Sequence, residues 1–178
     1  MTLFAALALF AMPLAALAAE GDDARALARA MRSDEIAVAG AKRAFLTGAL
    51  DERYGKTRAA CVRKVDYADF TAGSAQVIGS VLTPQEIAAA LGFFRSDAGV
   101  KYVEGLVRRL RASQGEESTL PKVAGKEEIS PAQVAAIADF SSSNLGRKIM
   151  GKEMAESPAA LAFGRQIMDS IAAKCGGR

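Results

Sequence analysis

The feature that most constrains the fold of this chain is an internal duplication. Residues 83–107, TPQEIAAALGFFRSDAGVKYVEGLV, return as residues 130–154, SPAQVAAIADFSSSNLGRKIMGKEM. Pro84/Pro131, Ala88/Ala135, Ala89/Ala136, Phe93/Phe140, Ser96/Ser143, Gly99/Gly146 and Lys101/Lys148 are identical between the two stretches. Thr83/Ser130, Glu86/Gln133, Ile87/Val134 and Asp97/Asn144 are conservative changes. Such a pattern calls for one structural unit used twice.

Each stretch opens on a hydroxyl residue, then proline, then Glu or Gln three places after the hydroxyl. This is a capping box with proline at the first helical position. Thr83 and Ser130 are placed to accept from orphan backbone N–H groups, and Glu86 and Gln133 to reach back to the cap amide. Behind the first cap Ile87, Leu91 and Phe94 recur at helical spacing; Val134, Ile137 and Phe140 repeat the stripe less cleanly, so the second stretch has the weaker apolar face.

A Ser-x-x-Gly step follows in both, Ser96 to Gly99 and Ser143 to Gly146, with Lys101 and Lys148 two residues on. A serine followed by Asp or Asn ends one helix and caps the next, and glycine in the new helix's first turn permits close approach of a neighbouring helix. The unit is therefore expected to be a helical hairpin, with Val103, Leu106, Val107 and Leu110 as the buried stripe of the first unit's second arm. Phe93 and Phe140 are expected to pack the arms together, and the two units to pack on each other about a pseudo-twofold axis, with both aromatics in one core.

At these residues the chain resembles the bacterial DUF2059 domain. That family is marked by a capped helix reading roughly T-x-x-E-L and then F-[FY]-x-S-x-x-G-x-K. Thr83, Glu86, Ile87, Phe93, Phe94, Ser96, Gly99 and Lys101 fall on the pattern, with Asp97 where the family commonly has proline. In the second stretch Ser141 stands at the second aromatic position. The resemblance covers about 25 residues and implies an exported helical domain of a Gram-negative envelope, with no activity attached.

The start of the chain points to the same address. Residues 3–19 are apolar, alanine-rich and uncharged, with Pro13 late in the run and Ala16, Leu17 and Ala18 as a small-x-small cleavage signal. Residues 1–18 read as a secretory signal peptide, cleaved after Ala18 or, as the alternative, kept as an anchor, and 19–178 as one domain of about 160 residues, long enough to bury its own core. No cysteine follows the cleavage region, which argues against a lipoprotein anchor. No stable membrane span is expected after cleavage.

Residues 22–54 read as helix, broken or bent near Arg32 and Ser33 and ended by Gly55; further helical runs are expected over 58–65 and 68–82. Residues 113–129 are polar and glycine-bearing, the linker between the two units. Ser157 and Pro158 open a last helix, with Leu161, Gly164, Ile167, Met168 and Ile171 as its packing stripe, stopped by Gly176 and Gly177. No alternating strand pattern occurs, so the fold class is all-α: a helical bundle of two related hairpins plus flanking helices.

The chain holds two cysteines, Cys61 and Cys175, and no C-x-x-C pair. In an exported protein this predicts one structural disulfide. It holds no histidine, which removes Ser-His and Cys-His dyads, histidine zinc sites and the commonest general base. Ser141, Ser142 and Ser143 lack an S-x-x-K partner and read as a helix edge and cap. The carboxylate pairs Asp22-Asp23, Glu116-Glu117 and Glu127-Glu128 read as solvent charge or dipole complement. Gly146 to Lys152 approaches a phosphate-binding loop, but Glu153 replaces the magnesium-binding hydroxyl and no strand precedes it.

Arg95, Lys101, Arg108, Arg109 and Arg111 make the first unit's second arm basic. They read as a solvated, dipole-complementing face or as a contact for an anionic envelope component or acidic partner protein. Net charge is +3, well short of a dedicated nucleic-acid binder, and no nucleic-acid partner is expected. The expected function is thus a non-enzymatic periplasmic binding or interaction domain without catalytic residues, cofactor or metal, its partner an unknown envelope protein or anionic component. The alternative is a small apolar-ligand or lipid carrier of the envelope.

Overall fold

The computed structural model describes residues 13–48, 55–66, 70–113 and 129–176. Among these residues the chain is all-helical, with ten helices and no strand. They are α1 (Pro13–Ala30), α2 (Ser33–Gly48), α3 (Gly55–Arg63), α4 (Thr71–Val81), α5 (Pro84–Phe94), α6 (Asp97–Ala112), α7 (Pro131–Ser142), α8 (Asn144–Met150), α9 (Lys152–Ala155) and α10 (Pro158–Cys175). None of them is long and apolar enough to cross a membrane.

Helix starts follow local chemistry. The Thr83 hydroxyl accepts from the Glu86 amide at 3.3 Å, while the Thr83 amide donates to Glu86 Oε2 at 2.8 Å. Ser130 and Gln133 repeat the exchange at 3.2 and 2.9 Å. Ser96 accepts from Gly99 N, Ser143 from Gly146 N and Ser157 from Ala160 N. Each bond satisfies an orphan donor of the new helix.

Of the break or bend expected near Arg32 the structure has the break: Arg32 adopts φ 49°, an uncommon left-handed conformation for a residue other than glycine. Its side chain is held by two bonds to Glu35 at 2.7 and 2.9 Å.

Several boundaries differ from the sequence expectation. Gly55 begins α3 instead of ending α2, and α3 stops at Arg63. Phe70 is the N-cap residue of α4, with its ring buried. The second unit's second arm is not one helix: Gly151, extended at φ −91° and ψ −174°, separates α8 from α9. Residues 114–128 of the expected linker and residues 1–12 of the expected signal segment lie outside the described residues; Ser113 caps α6 and Ile129 precedes α7. From Pro13 onward the chain is helical and passes through Ala18 into the rest of α1.

Two apolar clusters hold the helices together. The first joins Leu27 and Ala28 of α1, Ile78 of α4, Ile87, Leu91 and Phe94 of α5, Val103 and Val107 of α6, and Ile149 of α8. The second joins Val38 and Phe45 of α2, Val62 of α3, Val77 of α4, and Phe163, Ile167, Ile171 and Cys175 of α10. Helix α4 serves both because Ile78 and Val77, adjacent in sequence, point about 100° apart on a helix.

The stripe of α10 is Phe163-Ile167-Ile171-Cys175, a strict i, i+4 row. It keeps Ile167 and Ile171 of the expected stripe, with Met168 partly buried against the same cluster, but not its other members: Leu161 is exposed, and a Cβ on Gly164 would meet nothing within 4 Å. In α6 only Val103 and Val107 of the expected four are fully buried. The sulfurs of Cys61 and Cys175 lie 2.02 Å apart with Cα atoms at 5.6 Å, linking α3 to the end of α10.

Candidate functional site

The residues singled out from the duplication meet at one seam. Phe93 and Phe140 stack with centroids 3.8 Å apart and planes within 3°, and Phe94 sets its edge against both. The two phenylalanines therefore pack one stretch against the other, not merely arm against arm within each. Helix α5 lies beside α8, and α6 beside α7.

Gly99 and Gly146 explain how helices joined by so few residues turn so sharply. A Cβ on Gly99 would run into the Phe93 carbonyl oxygen and come within 2.7 Å of Phe94 Cα; a Cβ on Gly146 would strike the Phe140 carbonyl oxygen. The neighbour that glycine admits is thus the last turn of the preceding helix. The serine of each step also donates to that same carbonyl, Ser96 to Phe93 O at 2.7 Å and Ser143 to Phe140 O at 2.6 Å.

Polar contacts span the seam. Lys148 Nζ donates to both carboxylate oxygens of Glu86, at 3.0 and 3.1 Å. The Glu86 carboxyl is held below its ordinary pKa, first by its bond from the Thr83 amide and then by Lys148. One side chain thus closes the cap of α5 and ties it to α8. Tyr102 OH donates to Met150 Sδ at 3.0 Å, bridging α6 and α8.

The five basic residues do not share one surface. Arg95, at the end of α5, and Arg108 and Arg109 on α6 are exposed, and Lys101 is half-buried. Arg111 continues the Val103-Val107 row by another i+4 step, so its side chain turns inward. Its Nη2 donates to Glu35 Oε2 at 2.6 Å, which leaves Glu35 clasped between Arg32 and Arg111. The turn between α1 and α2 is thereby tied to the end of α6.

Sequence reasoning missed Lys42, which is 1% exposed. Its ammonium donates at 3.0 Å to the carbonyl of Arg63, the last residue of α3, complementing the negative end of that helix. The available signal was spacing: Val38, Lys42 and Phe45 lie on one helical stripe.

Ser141, Ser142 and Ser143 each donate to a backbone carbonyl, Ile137, Asp139 and Phe140 respectively. Residues 144–150 are helical; the Gly146 amide donates to the Ser143 hydroxyl and the Arg147 amide to the Ser143 carbonyl, so the stretch is a capped helix start and not the glycine-rich loop of a phosphate nest. Among the described residues no group of three or more metal-ligating side chains comes together.

Among the described residues two surfaces are candidates for binding. A groove of about 360 Å³ runs between α1, α4 and α5, floored by Ala24, Ala75, Gly79, Leu82 and Ile87 with Arg25 and Gln76 on its lining. The other is the outer face of α7, a helix with no fully buried residue. Val134 is 53% and Ile129 43% exposed, whereas the corresponding residues of the first stretch, Ile87 and Leu82, are 3% and 5% exposed. In the first stretch that face is covered by α1 and α4. Comparison of the chain with protein-family models, with curated proteins and with solved structures finds no match.

Proposed function

We propose that this is an exported, non-enzymatic interaction domain of the DUF2059 type, built on two versions of one helical hairpin. The first version is occupied by the protein's own α1, and the second takes a helix from a partner. The observation that carries this reading is the contrast between Ile87, sealed in the core, and Val134, half exposed at the matching position of α7. Ala132, Val134, Ala135, Ala136 and Ala138 are all exposed there, with Asp139 as the only charged residue of the helix. An apolar helix face of this kind is costly to leave in water and fits a helix-in-groove mode of recognition.

The occupant is a partner's amphipathic helix with the chemistry of α1, which covers α5 through the closely spaced Ala24, Leu27 and Ala28. The apolar, uncharged run of residues 3–19, read as a signal segment, and the Cys61–Cys175 pairing support a periplasmic setting.

The test is a photo-cross-linking side chain at position 134, compared with one at position 88, on the exposed face of α5. An adduct at 134 and not at 88, mapped by mass spectrometry to an alanine- and leucine-rich amphipathic helix, supports the reading. Equal labelling at both positions refutes it.

The groove between α1, α4 and α5 favours a second reading, carriage of a small apolar ligand or lipid. Its volume is at the low end of the roughly 300–1,000 Å³ of ligand sites. A native mass spectrum retaining an added small-molecule mass that leaves on unfolding would move the assignment there.

A further inference from the structure

Met150 stands apart from the other described methionines. It is 37% exposed, while Met31, Met154 and Met168 are partly buried and pack against the two core clusters. A thioether sulfur carries two lone pairs, and here Tyr102 OH engages one of them at 3.0 Å. Oxidation of methionine by a peroxide begins with attack of a sulfur lone pair on oxygen, so only the lone pair away from Tyr102 is open to the oxidant. The two lone pairs lead to opposite sulfoxide epimers, and distinct reductases remove each.

We propose that Met150 is a site of reversible oxidation by peroxides and that Tyr102 dictates which sulfoxide epimer forms. In the step itself, sulfur gives two electrons to the near peroxide oxygen, the O–O bond breaks, and the departing hydroxide takes the remaining proton as water. Sulfur gains one oxygen and is oxidised; the peroxide is reduced.

The product alters the joint between α6 and α8. The sulfoxide sulfur is a poor acceptor and its new oxygen a strong one, so the Tyr102 hydroxyl loses its partner or must shift to reach that oxygen. Ile149, next in sequence, lies in the first core cluster, and Lys148 is the residue bound to Glu86. The modification therefore sits where α8 is fastened to the rest of the fold, a place at which one added oxygen is felt by the seam.

The experiment treats the folded, full-length protein with graded hydrogen peroxide. Cleavage after Lys and Arg puts Met31, Met150, Met154 and Met168 on separate peptides, and the oxidised Met150 peptide is then given to each of the two epimer-specific sulfoxide reductases. The expected result is oxidation at Met150 before Met31, Met154 and Met168, with one reductase repairing most of the product. Tyr102→Phe frees the second lone pair; there the two reductases should share the product nearly evenly, as they should for protein oxidised in denaturant. An even epimer mixture in the folded wild type overturns the proposal, as does a bias that survives Tyr102→Phe or earlier oxidation at Met154 or Met168.

Discussion

Replacing Gly99 by alanine should destabilise this protein, against the general preference of helices for alanine. In an open helical position Gly→Ala gains up to about 1 kcal/mol. Gly99 is not open: the new methyl would collide with the Phe93 carbonyl oxygen and lie 2.7 Å from Phe94 Cα and 2.9 Å from Phe93 C. Comfortable carbon–carbon contact needs about 3.5–4.0 Å. The atoms in the way are backbone, already tied down by the Ser96 hydroxyl, and they can yield only by opening the α5–α6 joint. Overpacking of this kind costs about 1–3 kcal/mol and more where backbone must move, so after the propensity gain a net loss of about 2 kcal/mol is expected. In a domain of this size that is a fall in Tm of about 4–8 °C.

Gly105, in the same helix, is the internal control, because its added methyl would meet nothing within 4 Å. Gly105→Ala should raise stability by about 0.5–1 kcal/mol. Urea unfolding of both variants, followed by circular dichroism, gives the comparison. A Gly99→Ala protein as stable as wild type would refute the close-approach argument, and Gly146→Ala extends the test to the second joint.

Reduction of the Cys61–Cys175 bridge, which spans 114 residues, should cost about 4–5 kcal/mol in the chain-entropy model; an unchanged thermal transition with reductant would contradict a structural role. Glu86→Gln keeps the capping geometry, as Gln133 does in α7, and removes only the charge facing Lys148. Because folding lowers the Glu86 pKa, its ionic contribution is complete above the usual glutamate range and is lost as pH falls through the lowered value. The stability gap between wild type and Glu86→Gln should accordingly close on acidification, and a gap that widens at low pH would be inconsistent with the ion pair. Glu35→Gln should cost about 2–4 kcal/mol, since Arg32 and Arg111 would share a partly buried site without their carboxylate; a change within 0.5 kcal/mol in urea unfolding would place the cluster among ordinary surface pairs.

The parts legible in the sequence were those decided within three or four residues. Thr83, Ser96, Ser130, Ser143 and Ser157 each cap a helix where the pattern placed one, because a hydroxyl and the amide three residues on need nothing from the rest of the fold. The glycine of the Ser-x-x-Gly step is legible for the same reason, its clash being with the turn immediately before it. The all-α class and the pairing of Cys61 with Cys175 could be read from composition and pattern. A break at Gly151 and the start of α3 at Gly55 could not, since glycine is compatible with either end of a helix.

Only the tertiary structure decided which apolar faces are covered. Ile87 and Val134 occupy matching positions behind matching caps, yet one is sealed and the other half exposed, because α1 and α4 lie over the first and nothing described lies over the second. Periodicity says that a helix has a stripe, not what meets it. Lys42 and Arg111 sit on such stripes as charged residues and are turned inward only because a helix end and Glu35 wait there to receive them. Side-chain burial is a property of the assembled neighbours, and these are brought together by contacts between residues far apart in the chain, which no local pattern encodes.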